Sequence, residues 1–382
     1  MRLTVVHPLP RRTEPAPRHL PDTGPRSIAA VRMLRISLTD RCNFRCLYCM
    51  PAGGVPWLPG HDLLSDDEIL EIVRAAARQH EIRRYKLTGG EPTLRPGLVD
   101  LVRKLRDSGE VDDLSMTTNG ALLEKLAAPL RDAGLGRVTV SLDSLREGRF
   151  RQITRTGDLS AVVRGLDRAE AAGFDAVKIN CVVMRGVNDD EVADFARLTL
   201  TRRVTVRFIE YMPLGDSAVS GASDAAIDQS ETGPAGGCGA QDRGDVFVPE
   251  SEVRQSIESE LGPLLPVDRS LETGVGPAVV YRLASDKSSA NASGHPRGRV
   301  GFISAMSAPF CSTCNRLRLT AAGVLRSCLF EGGEVDLKPI LRGGDSPARR
   351  RHFLARAMSD CVRLKLDVHS PRGREQMSRI GG

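Results

Sequence analysis

Apolar residues fall into two alternating rhythms from Leu34 onward. The run LRISL has the density of a buried strand, and SDDEILEIVRAAARQH then sets Ile69, Ile72, Val73 and Ala76 on one face at helical spacing. Ser65 and Glu68 open that helix as an S-x-x-E capping box. The strand YKLT follows, then a helix marked by Leu98, Leu101, Val102 and Leu105, the strand DLSMTT, a helix running through Leu130 and the strand RVTVSLD. A helix around AVVRGLDRAEAAG leads to the strand DAVKINCVV, and the helix DDEVADFARLTL leads to RVTVRFIE. Six strands are thus predicted, starting near residues 34, 84, 113, 137, 176 and 204. Strands alternating with amphipathic helices predict a parallel sheet with right-handed crossovers. Six units are too few for the closed eight-stranded barrel. The expected fold is α/β, an incomplete (β/α)6 TIM-like barrel, with an open flat sheet as the alternative.

Polar residues interrupt this pattern just after the strands. DRCNFRCLYCMP follows the first strand, GGEP the second and TTNG the third; SLD ends the fourth and EYM follows the sixth. Parallel α/β folds bind ligands at the carboxyl ends of their strands, so one mouth would collect all of these groups.

The pattern also predicts the domain boundaries. Residues 1–30 hold six prolines and five arginines with little periodicity and read as a disordered leader. The barrel would occupy 31–214. The Gly-, Ala- and Ser-rich stretch 215–245 reads as a flexible insertion without assigned chemistry. A C-terminal domain, 246–382, would hold the helix PESEVRQSIESEL, the strand AVVYRL, a loop over 284–299, a basic helical stretch and the ending IGG.

Composition narrows the function. No run approaches 18 apolar residues, and LTVVHPL is too short for a secretion signal, so a cytoplasmic enzyme is expected. The net charge of +6 is too small for a dedicated DNA-binder but suits a small anion, and one Trp leaves no platform for base stacking. Nine cysteines without a secretion signal are not read as disulfides. Cys181, Cys238 and Cys361 are scattered and read as buried or incidental thiols.

The other six form two groups of three. Cys42, Cys46 and Cys49 have C-x3-C-x2-C spacing; Cys311, Cys314 and Cys328 have C-x2-C-x13-C spacing. Structural zinc takes four ligands. A four-iron cluster takes one thiolate per iron, so three cysteines leave one iron open to a substrate or cofactor. Two [4Fe-4S] clusters are therefore expected. Zinc stays an alternative, with His61 as a fourth ligand at the first group and His295 or Cys361 at the second.

The cysteine loop with Tyr48 before its last cysteine, followed by GGEP, resembles the radical S-adenosylmethionine superfamily. LRISLTDRCNFRCLYCMP, KLTGGEPTLR, TTNG, VSLDS, VKIN, RFIEYMP, FCSTCNRLRL, the Cys328 region and the terminal GG resemble its GTP 3′,8-cyclase family, over about residues 32–382. The resemblance implies a lyase of molybdenum cofactor biosynthesis. The first cluster would hold S-adenosylmethionine for cleavage to methionine and a 5′-deoxyadenosyl radical. That radical takes the 3′ hydrogen of GTP, and the carbon radical closes onto C8 of the base. The open iron of the second cluster would hold the guanine. By the same resemblance Tyr48, Gly90, Ser141 and Met212 contact S-adenosylmethionine, and Arg35, Lys86, Thr117, Lys178, Arg316 and Arg318 contact GTP. Arg316 and Arg318 act in catalysis with Gly381 and Gly382, whose tail enters the active site and sets an arginine. The family usually has Arg where Lys86 stands; Lys keeps the charge but loses the bidentate fork, and Arg84 is a candidate to share the role. Implied partners are a reductant for the clusters, cyclic pyranopterin monophosphate synthase downstream, and a second copy in a homodimer.

Overall fold

Ser65 and Glu68 cap each other in the computed structural model. The Ser65 hydroxyl accepts from the Glu68 N–H at 3.2 Å, and the Glu68 carboxylate accepts from the Ser65 N–H at 2.8 Å. Two backbone donors that a helix start leaves unpartnered are thereby satisfied. The structure describes residues 24–215, 246–272, 274–284, 297–330, 333–370, 373, 375 and 377–381. Most of the expected leader, the insertion from 216 to 245, most of the 284–299 loop, Cys238, His295 and Gly382 lie outside them.

In chain order the elements are β1 (Met33–Ser37), α1 (Asp66–His80), β2 (Arg84–Thr88), α2 (Leu98–Asp107), β3 (Asp113–Thr118), α3 (Leu123–Asp132), β4 (Arg137–Ser141), α4 (Glu147–Thr154), α5 (Leu159–Ala171), β5 (Ala176–Val183), α6 (Val192–Thr201) and β6 (Val204–Glu210). Then come α7 (Glu250–Leu261), β7 (Leu264–Pro266), β8 (Val279–Leu283), β9 (Arg299–Ile303), β10 (Arg316–Leu319), β11 (Val324–Arg326), β12 (Glu334–Asp336), α8 (Lys338–Leu341), α9 (Pro347–Arg363) and α10 (Met377–Ile380). All six strands expected from the hydrophobic rhythm are present at the expected places. The helices α4, α8 and α10 and the strands β7, β9, β10, β11 and β12 were not foreseen.

The chain divides into two compact units, and β3 crosses the division. The first comprises Met1–Arg41, Pro56–Ser115 and Phe310–Gly382. In it β1 lies parallel between β2 and β10, and β10, β11 and β12 continue antiparallel. The helix α1 packs against α9, where His80 Nε2 lies 2.8 Å from the Ala355 carbonyl. The second comprises Cys42–Val55 and Met116–Pro309. In it β4, β5, β6 and β9 run parallel in that order, and β8 and β7 close the edge antiparallel.

Successive strand residues point to opposite faces, and here the faces differ in kind. Leu34, Ile36, Tyr85, Leu87, Leu317 and Leu319 are buried in the first unit, and Val177, Ile179, Val204, Val206 and Phe208 in the second. The alternate positions hold Arg35, Ser37, Lys86, Thr88, Arg316 and Arg318, and Lys178, Asn180, Thr205 and Arg207. Each parallel sheet therefore has one apolar face and one polar, cationic face.

Candidate active site

In the second unit a short loop carries the first cysteine group. Cys42, Cys46 and Cys49 are half-buried. The Cys49 and Met50 N–H groups both donate to the Cys46 carbonyl at 3.0 Å, which winds the loop into one turn. The end of α4 fixes that turn: the Arg45 N–H donates to the Thr154 carbonyl at 2.9 Å and the Leu47 N–H to the Ile153 carbonyl at 3.0 Å. Arg155, at a positive φ of 62°, donates to the carbonyls of Arg45 and Met50 at 3.0 Å. The unforeseen helix is thus the support of the cysteine loop.

Tyr48 turns inward from this loop. Its hydroxyl donates to Asp143 Oδ2 at 2.7 Å, and the Val182 N–H donates to Asp143 Oδ1 at 2.8 Å. Burial pushes the Asp143 carboxyl up to about 6, against the pull of these two donors. Ser141, Thr117 and Met212 are half-buried. The Thr117 hydroxyl and the Asn180 side-chain oxygen are buried without a hydrogen-bond partner among the described residues.

Lys178 lies opposite Thr139 on β4 and Thr205 on β6. Burial, then Arg207 and Arg137, push its ammonium down to about 7, with Glu272 opposing. Arg207, opposite Asn180, is likewise pushed down to about 10 by burial and Arg137. Sequence reasoning passed over Arg207 and Arg137. The available signal was their period-two placement on the same strand faces as Lys178.

In the first unit, β10, β1 and β2 set Arg318, Arg35 and Lys86 side by side in register. Neighbouring strands are only about 4.8 Å apart, and like charges directly opposite one another repel. Lys86 joins this row, whereas Arg84 is exposed at the start of its strand. Arg318 is pushed down to about 10 by burial and by Arg316, with Cys328 and Cys314 opposing. Its guanidinium is 3.5 Å from the Gly381 carbonyl. Gly381 has a φ of 70°, and a Cβ there would come within 2.8 Å of the Ser37 Cβ. Only glycine fits that conformation and that gap without strain.

Gly90 answers to close approach as well. A Cβ on it would lie 2.4 Å from the Asp40 and Arg41 carbonyl oxygens. Its N–H donates to the Thr39 carbonyl, and that of Glu91 to the Arg41 carbonyl, both at 2.7 Å. The GGEP turn is therefore laid directly on the backbone leading to Cys42.

Cys311, Cys314 and Cys328 are half-buried in this unit. The Arg316 guanidinium sits 5.1 Å from the centre of the Phe310 ring. Burial raises the Cys314 thiol, but Arg316 and Lys365 more than offset it, so it ends below the ordinary thiol value. At the first group, burial, then Asp143, Cys49 and Cys42 push the Cys46 thiol well up. Among the described residues no three His, Cys, Asp or Glu side chains gather as a single ion requires. An iron–sulfur cluster takes cysteine thiolates, and each group brings three cysteines from a single unit. The alternative fourth ligands have other settings: the His61 side chain is 83% exposed, and Cys361 is buried with its thiol donating to the Gly333 carbonyl at 3.2 Å.

Comparison with known proteins gives the family. Residues 36–199 match the radical SAM superfamily, and residues 204–371 match the Molybdenum Cofactor Synthesis C family. A GTP 3′,8-cyclase of Pelotomaculum thermopropionicum is 44% identical over 92% of this chain and 98% of its own. One from Moorella thermoacetica is 44% identical over the same shares. Streptococcus suis SuiB bound to S-adenosylmethionine superposes with a TM-score of 0.51 at 11% identity, over 78% of this chain and 60% of that one, which shows a shared fold. A radical SAM domain implies a [4Fe-4S] cluster and S-adenosylmethionine. The chain belongs to the GTP 3′,8-cyclase family of radical S-adenosylmethionine proteins.

Proposed function

We propose that this chain converts GTP to (8S)-3′,8-cyclo-7,8-dihydroguanosine 5′-triphosphate, releasing 5′-deoxyadenosine and methionine, as the first step of molybdenum cofactor biosynthesis. The observation that carries the reading is the row Arg318, Arg35, Lys86 on three adjacent parallel strands. A row of cations on one sheet face suits a triphosphate, which accepts charge-assisted bonds from Arg and Lys.

When bound at Cys42, Cys46 and Cys49, a [4Fe-4S] cluster supplies the electron that splits S-adenosylmethionine. Tyr48, Gly90, Ser141 and Met212 hold that cofactor. Gly90 does so by backbone, since its lack of Cβ lets the turn lie against the loop. Lys86, Arg35, Thr117 and Lys178 bind the triphosphate end of GTP. Cys311, Cys314 and Cys328 would hold a second cluster, whose open iron would supply a site for the base, and Arg316 and Arg318 act in catalysis. Gly381 sets the Arg318 guanidinium through its carbonyl; Gly382, the other half of the tail, lies outside the described residues. In the same reading the protein is a cytoplasmic homodimer, served by an external reductant, and hands its product to cyclic pyranopterin monophosphate synthase.

The test is anaerobic incubation of reconstituted protein with S-adenosylmethionine and dithionite, with and without GTP. The reading expects 5′-deoxyadenosine formation that depends on GTP, together with a cyclised nucleoside triphosphate. Release of 5′-deoxyadenosine at the same rate without GTP would overturn it.

A further inference from the structure

Residues 364–368, LKLDV, follow α9 with their polarity reversed. Leu364, Leu366 and Val368 are 54%, 38% and 64% exposed, while Lys365 between them is 5% exposed. Three apolar side chains stay in water so that one ammonium can be buried. Burying a charge is costly unless it is paired and hydrogen-bonded.

The Lys365 ammonium donates to the Cys314 carbonyl at 3.0 Å and to the Arg316 carbonyl at 3.4 Å. No carboxylate among the described residues pairs with it, so its hydrogen bonds are met while its charge is not. Its bond to the Cys314 carbonyl places the ammonium beside that cysteine. The lysine is itself braced. Arg26 Nε donates to the Lys365 carbonyl at 2.9 Å, and its Nη2 pairs with Asp367 at 2.7 Å. Asn315, between the two gripped carbonyls, is held by its own carbonyl, which accepts from the Arg32 N–H at 2.8 Å and the Met33 N–H at 3.3 Å. The turn that follows the second cysteine pair is thus clamped by residues near both ends of the chain.

We propose that Lys365 is a positioning residue for the second cysteine site: it fixes the Cys314–Arg316 turn through two carbonyls and keeps one buried positive charge beside Cys314, which favours the reduced, more negative state of a cluster held there. The inference rests on the reading of Cys311, Cys314 and Cys328 as a cluster site. No ligand contact by Lys365 is involved.

The test uses the full chain with Cys42, Cys46 and Cys49 replaced by alanine, so that only the second site is loaded. Lys365→Met and Lys365→Arg are compared with this parent by iron content and by a dithionite titration followed by electron paramagnetic resonance. Loss of one buried charge in Lys365→Met is expected to lower the reduced-to-oxidised ratio about tenfold at a given potential. That corresponds to a midpoint about 59 mV lower for a one-electron couple. Lys365→Arg should restore the parent midpoint. An unchanged midpoint in Lys365→Met at full iron content, or equal displacement in Lys365→Arg, would overturn the charge role. If Lys365→Met loses its iron, amide exchange over residues 311–319 in iron-free protein decides: faster exchange than the parent, reversed by Lys365→Arg, sustains the clamp, and unchanged exchange refutes it. A parent that holds no iron would instead refute the cluster reading, and the exchange comparison would still judge the clamp.

Discussion

Lys178 is a buried ammonium among arginines, and an arriving anion changes its protonation. Burial, Arg207 and Arg137 bring it to about 7 in the free protein, so near pH 8 it is largely neutral. A bound triphosphate favours the charged form and draws a proton in. GTP binding at pH 8, measured by calorimetry in two buffers of different ionisation enthalpy, should therefore show net proton uptake. The uptake should fade below pH 6, where Lys178 is already charged, and vanish in Lys178→Met. The same depression has a consequence for stability. The unfolded chain binds more protons than the folded one between about pH 7 and the ordinary lysine value, so Lys178 adds stability as pH rises through that window. A second expectation concerns Tyr48. Tyr48→Phe removes the donor to the buried Asp143 Oδ2 and should cost about 1–3 kcal/mol, read as a lower Tm. Lys178, Arg35 and Arg318 were legible because each stands in a motif with a known place at a strand. The Tyr48–Asp143 bond was not, because its partners are 95 residues apart and neither motif names the other.

Elements were legible where a local rhythm made them. The apolar positions of β1 to β6 alternate within each strand, and the capping box of α1 is written in four residues. The strand β9 has Gly301 at its centre, and its pairing depends on β6, some 90 residues earlier, so nothing local announces it. The run RLRL of β10 has a strand's alternation, but half of it is charged, and it reads as strand only once β1 is seen beside it. In α4 only Phe150 and Ile153 give an apolar face, too little for periodicity to register. The GGEP turn yields a prediction at this scale. In Gly90→Ala the new methyl meets two carbonyl oxygens at 2.4 Å, and backbone cannot yield as a side chain can. The turn must lift from the loop before Cys42, so affinity for S-adenosylmethionine should fall at least tenfold while the second site keeps its iron. Equilibrium binding and iron analysis check both halves. By contrast Ser65→Ala should cost only about 1 kcal/mol of stability and leave binding unchanged, because it removes one cap bond far from either cysteine group in sequence.

For the molecule as a whole, each cysteine group draws its three thiols from one compact unit: Cys42, Cys46 and Cys49 from the second, Cys311, Cys314 and Cys328 from the first. The supporting bonds follow the same division. Arg45, Arg155 and Asp143 serve the first group within its unit, and Lys365, Arg26 and Asn315 serve the second within its own. No thiolate is shared, so neither group needs the other's ligands to load. Anaerobically reconstituted protein should then carry about eight irons, and replacing either set of three cysteines by alanine should leave about four. Activity should disappear in both variants, yet for different reasons. The variant lacking Cys42, Cys46 and Cys49 should form no 5′-deoxyadenosine at all. The variant lacking Cys311, Cys314 and Cys328 retains the cysteine loop with its Tyr48–Asp143 bond, and should still cleave S-adenosylmethionine slowly without cyclising GTP. Iron assays and product analysis on the same samples separate these outcomes; a variant lacking Cys42, Cys46 and Cys49 that holds no iron would refute the second cluster.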